Sequence, residues 1–212
     1  MMATITSICV GLPKTVGFEG KEVLTGIFKA PIKGPVRVGE MGIDGDGQAN
    51  LRVHGGRDKA VYAYPAVHYP AWARELGREL EPSQFGENLA VSGLDEASVV
   101  IGDRYRAGTV EMLVAQPRSP CAKLGVRMGD AGFPPRFLAS GRLGFYLRVE
   151  QPGTFAAGDE IVRLDRPAHG ITVHDVWQTV FNPSNARIPA ARCLDELPHL
   201  DAGWVRRLQG GQ

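Results

Sequence analysis

The sequence predicts a mainly β protein: a barrel-like antiparallel sheet with a few short helices, followed by a small unit of three helices. Three observations lead there. Glycine and proline make up about a fifth of the 212 residues, with 27 Gly and 15 Pro, which is high for a helical protein and short of the level of disordered sequence. Residues 4–165 carry short β-branched runs broken by Gly and Pro. Beyond Arg166-Pro167-Ala168-His169-Gly170 the apolar spacing turns helical. The chain therefore divides into a barrel over 1–166 and a helical unit over 167–212, with length enough for one sizeable core.

In order along the chain, residues 5–10, 23–28, 36–38, 61–64, 88–91, 109–115, 144–150 and 160–164 read as strands. So many short strands in one region imply a sheet that closes on itself. Val100-Ile101-Gly102-Asp103-Arg104-Tyr105 and Ala157-Gly158-Asp159-Glu160-Ile161 share a turn signature, in which Gly supplies the geometry and Asp bonds nearby backbone. Helical spacing interrupts the pattern at 67–80, where Val67, Ala71, Trp72, Leu76 and Leu80 form a stripe, at 121–128 after Pro120, and at 132–140. In the tail, Thr172 and Asp175 form a capping box that opens a helix through Phe181. Asn182-Pro183-Ser184 ends it, a second helix spans 188–197, and Asp201 caps a third through Leu208. Helices this short are unstable alone in water, so Trp177, Phe181, Leu194, Leu197 and Trp204 are expected to be buried.

The net charge of +1 removes the simplest case for a nucleic-acid polymer as partner. No window reaches the length of a membrane span, and the first ten residues lack a signal-peptide pattern, so no membrane and a cytoplasmic location are expected. Cys9, Cys121 and Cys193 are widely spaced without any C-x-x-C pair, which supports neither a disulfide framework nor a zinc knuckle. Any functional cysteine acts alone.

Three stretches hold the residues with chemistry. The first, residues 42–60, places Asp44, Asp46 and Gln48 at alternate positions, but Ala49 stands where a calcium loop needs Gly and no bidentate Glu follows. It is no phosphate-loop fingerprint either. What is left is a Gly-rich loop with Arg52, His54, Arg57 and Lys59, either an anion-binding loop or a solvated basic turn. The second, Phe85-Gly86-Glu87-Asn88, puts a polar pair before an apolar strand, where it either serves a site or ties two loops together. In the third, Gln116-Pro117-Arg118-Ser119-Pro120-Cys121-Ala122-Lys123, a strand ends and a cysteine arrives at a predicted helix start between two cations. Both features favour thiolate, so Cys121 is the candidate nucleophile or soft-metal ligand. Cys9 and Cys193 sit in apolar settings where a buried hydrophobe is the default. His68, His169, His174 and His199 make no ligand pair.

Taken together, Val53-His54-Gly55-Gly56-Arg57-Asp58-Lys59-Ala60-Val61, Phe85-Gly86-Glu87-Asn88-Leu89, Ile101-Gly102-Asp103 and Gln116-Pro117-Arg118-Ser119-Pro120-Cys121 resemble the signature of MOSC domains, the module named after the C-terminal part of molybdenum cofactor sulfurases. With the helical tail and Tyr64-Pro65, His68-Tyr69 and Trp72, the chain resembles the bacterial YiiM type in particular. The resemblance implies a MOSC β-barrel that binds the molybdenum cofactor, Mo-molybdopterin, with Cys121 as metal ligand. It also implies reduction of N-hydroxylated compounds such as 6-hydroxylaminopurine as a detoxification, with electrons from a separate flavin or iron–sulfur reductase. The residue chemistry agrees, since a soft metal favours thiolate and Arg52, Arg57, Lys59, Arg118, Ser119 and Lys123 surround the motifs as cofactor-binding candidates. His54 is the candidate proton donor, Glu87 the alternate, and Asn88 fixes cofactor or substrate. Two other readings use the same residues: a cofactor carrier without catalysis, and a hydrolase with Cys121, His54 and Asn88 as triad. The tail is expected either to cover the cofactor or to mediate a homodimer.

Overall fold

The structure is a computed structural model that describes residues 2–50 and 55–211. The strands are β1 (Thr4–Val10), β2 (Lys14–Phe18), β3 (Lys21–Thr25), β4 (Ala30–Pro31), β5 (Val36–Gly39), β6 (Gly42–Ile43), β7 (Val61–Pro65), β8 (Leu89–Ser92), β9 (Arg104–Ala107), β10 (Val110–Pro117), β11 (Phe145–Gln151), β12 (Gly153–Phe155) and β13 (Ile161–Asp165). The helices are α1 (Tyr69–Leu76), α2 (Ala122–Met128), α3 (Phe133–Ala139), α4 (Val173–Phe181), α5 (Ala190–Glu196) and α6 (Ala202–Leu208).

The main sheet runs β13-β9-β10-β11-β7-β8-β1-β4 and curls into a half-barrel. Its ends meet through the turn before β13, where Ile5 N–H donates to Asp159 O at 3.0 Å and Ile161 N–H to Ala3 O at 2.8 Å. The sheet is mixed rather than wholly antiparallel. β7 and β8 are parallel, because the connection between them is long enough to carry α1 across. Every residue of β7 is buried. This is the pattern of a strand covered on both faces, and Tyr64 packs in one aromatic cluster with Trp72 of α1, Phe85 and Phe137 of α3.

All eight expected strands are present in substance, with altered ends. The expected 23–28 strand stops at Thr25 and pairs with β2, which the sequence reading did not include. Polar Lys14 and Thr15 hide β2, while Glu19 and Gly20, both at positive φ, make the tight turn that joins the hairpin. β9 was read only as part of a turn. The expected 67–80 helix ends at Leu76, since Gly77 adopts the left-handed C-cap with φ 64°. Cys121 is the N-cap of α2, which starts at Ala122, one residue later than expected.

In the tail the Thr172–Asp175 capping box and the Asp201 cap both form. Leu197 and Trp204 are buried and Trp177 and Leu194 are half-buried, but Phe181 is exposed at the end of α4. The tail's Ile171, Val176, Ile188, Cys193, Trp204 and Leu208 belong to the same apolar cluster as the barrel interior. Among the described residues no helix is long and apolar enough to cross a membrane.

Candidate functional site

One cleft, about 700 Å³ including its open mouth, gathers Lys29, Asp46, the 47–50 loop, Lys59, Tyr62, Asn88, Arg118, Ser119, Cys121, Lys123 and Tyr146. The walls come together through backbone. A Cβ on Gly26 would lie 2.3 Å from the Gly47 carbonyl, so only glycine permits this approach.

The third stretch supplies the far wall. β10 runs out at Pro117, and Arg118 N–H donates to Gly144 O at 3.2 Å, which turns the chain toward α2. Cys121 then occupies the extended N-cap position, its carbonyl accepting from Leu124 N–H at 2.9 Å. Cys121 lines the cleft. Cys9 and Cys193 are both buried, and burial pushes the Cys9 thiol up to about 11.

Arg118 is 5% exposed. Its guanidinium lies 4.9 Å from the Tyr62 ring and 5.3 Å from the Phe137 ring, and its Nη1 has no hydrogen-bond partner. Burial works against its charge, but Tyr62, Tyr146, Cys121 and Glu87 around it push its pKa above the ordinary arginine value. A buried cation with an unspent donor, opening on a cleft, is prepared for an anion. Tyr62 and Tyr146 are cross-strand neighbours on β7 and β11. Burial raises both phenol pKa values against the pull of Arg118, so both keep their protons at neutral pH. Tyr62 donates its proton to Leu143 O at 2.7 Å.

The floor is a network around Asp46. Its carboxylate accepts from Gly11 N–H at 3.0 Å and Asn88 Nδ2 at 2.9 Å, and pairs with Lys29. Asn88 is also tied to Tyr62 N–H at 3.1 Å and Cys9 O at 3.3 Å. Its amide therefore joins β7, β1 and the 44–50 loop at the cleft floor.

Of the candidates from sequence, the cleft brings together Cys121, Asn88, Lys59, Arg118, Ser119 and Lys123. It does not include Glu87 or Arg57. Glu87 is 1% exposed and accepts from the Tyr69 hydroxyl and, at 3.0 Å, from Phe85 N–H. Burial raises its pKa, and these two bonds tie Glu87 to the segments that carry Tyr69 and Phe85. Arg57 is exposed and lies 3.6 Å from Glu40. Arg52 and His54 lie outside the described residues. Lys29, Asp46, Tyr62 and Tyr146 were missed. The tyrosines carried a signal in the alternation of two predicted strands, whereas Lys29 and Asp46 reach the cleft only through tertiary contacts.

Among the described residues no three of His, Cys, Asp and Glu group as a metal-binding set. A metal here would need most of its ligands from a cofactor, with one thiolate added by the protein. The cleft offers that arrangement: one thiol, several cations for a phosphate, and a polar loop for a heterocycle.

The MOSC domain family model matches residues 50–162. The chain belongs to the MOSC domain family. Its likeness extends over nearly the whole chain to a crystal structure of YiiM from Geobacillus stearothermophilus, at TM-score 0.78 and 34% identity, covering 98% of each chain. The chain is thus a MOSC protein of the YiiM type. YflK of Bacillus subtilis, itself uncharacterized, is 42% identical over 95% of this chain and 90% of its own length. A protein named Reductase from Gibberella moniliformis is 34% identical over 87% of this chain, which spans 33% of that longer protein.

Proposed function

We propose that the cleft holds a molybdenum–pterin cofactor and that the protein reduces N-hydroxylated compounds, hydroxylaminopurine-type bases among them. The observation that carries this reading is the buried, incompletely bonded Arg118 in the same cleft as Cys121. In this account Arg118, Lys59, Lys123 and Ser119 hold the phosphate, the 47–50 loop faces the pterin, and the Cys121 sulfur is the protein's ligand to the metal. The related protein named Reductase supports an oxidoreductase.

The reaction is R–NH–OH + 2e⁻ + 2H⁺ → R–NH₂ + H₂O. Bound in the cleft, the cofactor supplies the two-electron reduction, with electrons drawn from a separate flavin or iron–sulfur reductase. The chain must deliver protons and position the substrate. Tyr146 keeps its proton at neutral pH and lines the cleft as a hydrogen-bond donor that positions the ligand, and His54 is the proposed proton donor. Asn88 and Asp46 fix the floor against which the ligand rests.

The test pairs metal analysis with turnover of 6-hydroxylaminopurine using an artificial electron donor. Molybdenum together with turnover is expected. Metal without turnover indicates a carrier, and turnover of acyl substrates by metal-free protein indicates a hydrolase; either result overturns the reductase reading.

A further inference from the structure

We propose that the C-terminal helical unit is part of the ligand site, with Asp201 as a positioning residue for the cleft. This rests on the reading of the cleft as a site for a phosphate-bearing cofactor. Three contacts carry it. The Asp201 carboxylate meets the Lys59 ammonium, which lines the cleft, at 3.0 Å. The Asp201 backbone N–H donates to Gln116 Oε1 at 3.0 Å, and Gln116 is fully buried two residues before Arg118. Trp204 Nε1 donates to Pro117 O at 2.8 Å from its fully buried place on α6. The tail thus grips both residues that precede Arg118, and Lys59 as well.

The local chemistry gives these contacts a direction. Because Gln116 Oε1 accepts from Asp201, the amide cannot flip without setting two donors against each other. Its Nε2 is left as a buried donor without a partner. Lys59 has a flexible four-carbon stem, and an ion pair restrains it before any ligand arrives. A phosphate then meets an ammonium whose rotamer freedom is already reduced. The carboxylate also repels an anion, so the proposal requires restraint to outweigh repulsion. Burial opposes the ionisation of Asp201, but bonds from Trp204 N–H and Lys59 hold its carboxyl below the usual range, so the restraint persists across neutral pH.

The test uses full-length, cofactor-free protein and the Asp201→Asn variant. Asparagine keeps the backbone N–H to Gln116 and caps a helix about as well as aspartate, so the fold is expected to survive, with an unchanged melting curve as the check. Two readouts follow: the acylation rate of Lys59 by an amine reagent, read by mass spectrometry, and the affinity for inorganic phosphate. Acylation should quicken and phosphate affinity should fall roughly three- to tenfold, the scale expected for one released side chain. Asp201→Glu should recover part of both. Unchanged Lys59 reactivity, or phosphate binding that is unchanged or tighter in Asp201→Asn, overturns the positioning role. Failure of the wild type to bind phosphate counts instead against the cofactor reading, while Lys59 reactivity still decides the role of Asp201.

Discussion

At the scale of single residues, the cleft depends on polar groups whose bonds are either complete or deliberately short of one partner. Asn88 and Asp46 are tied on several sides, whereas Arg118 keeps its buried Nη1 without a partner. Glu87 belongs with the tied groups. Glu87→Ala leaves the Tyr69 hydroxyl and Phe85 N–H without their acceptor and should cost about 1–3 kcal/mol in urea unfolding. Glu87→Gln should cost less, since a hydroxyl can turn to accept from the new amide. The pH dependence has a definite sign. A carboxyl raised by burial contributes stability that is present below its unfolded value of about 4.3 and is lost as pH rises through the folded value. The Gln variant should lack this component, and an Ala variant as stable as wild type would contradict the role. Residue-level legibility follows locality. Cys121 and Arg118 could be read because a strand end, two prolines and a helix start lie together in sequence. Asp46 and Lys29 could not, because their meeting depends on where β1 places Gly11.

At the scale of elements, strong local signals survived folding and weak ones did not. The capping box at Thr172 was legible because both of its partners lie within four residues. β2 was illegible because its stability comes from pairing with β3 and not from its own alternation. The box also anchors the tail, since Asp175 pairs with Arg187, whose Nη2 donates to Gly170 O at 3.1 Å. Thr172→Ala should destabilise the protein by about 1 kcal/mol in denaturant titration. Burial opposes the charge of Asp175, but Arg187 and Thr172 hold its carboxyl below the usual range. Its contribution is therefore present above the unfolded value of about 3.9 and is lost as pH falls through the folded one. Asp175→Asn should melt below wild type at neutral pH, and the two curves should converge in acid. A gap that widens in acid would contradict this account.

At the scale of the whole molecule, the barrel and tail share one core and meet at the cleft. The sequence pattern indicated a sheet that closes on itself, because many short β-branched runs allow few other solutions. It could not indicate that α6 returns to β10, since that contact joins residues 87 positions apart. The neutral net charge likewise concealed a cleft lined by Lys29, Lys59, Arg118 and Lys123. The cleft is proposed to hold a molybdenum cofactor through the Cys121 sulfur. The most direct measurement is the molybdenum content of wild-type protein and Cys121→Ala, both purified from cells that make the cofactor. Stoichiometric metal is expected in the wild type, with its loss in the variant. Stoichiometric metal retained by Cys121→Ala, or a wild type without molybdenum, would contradict it.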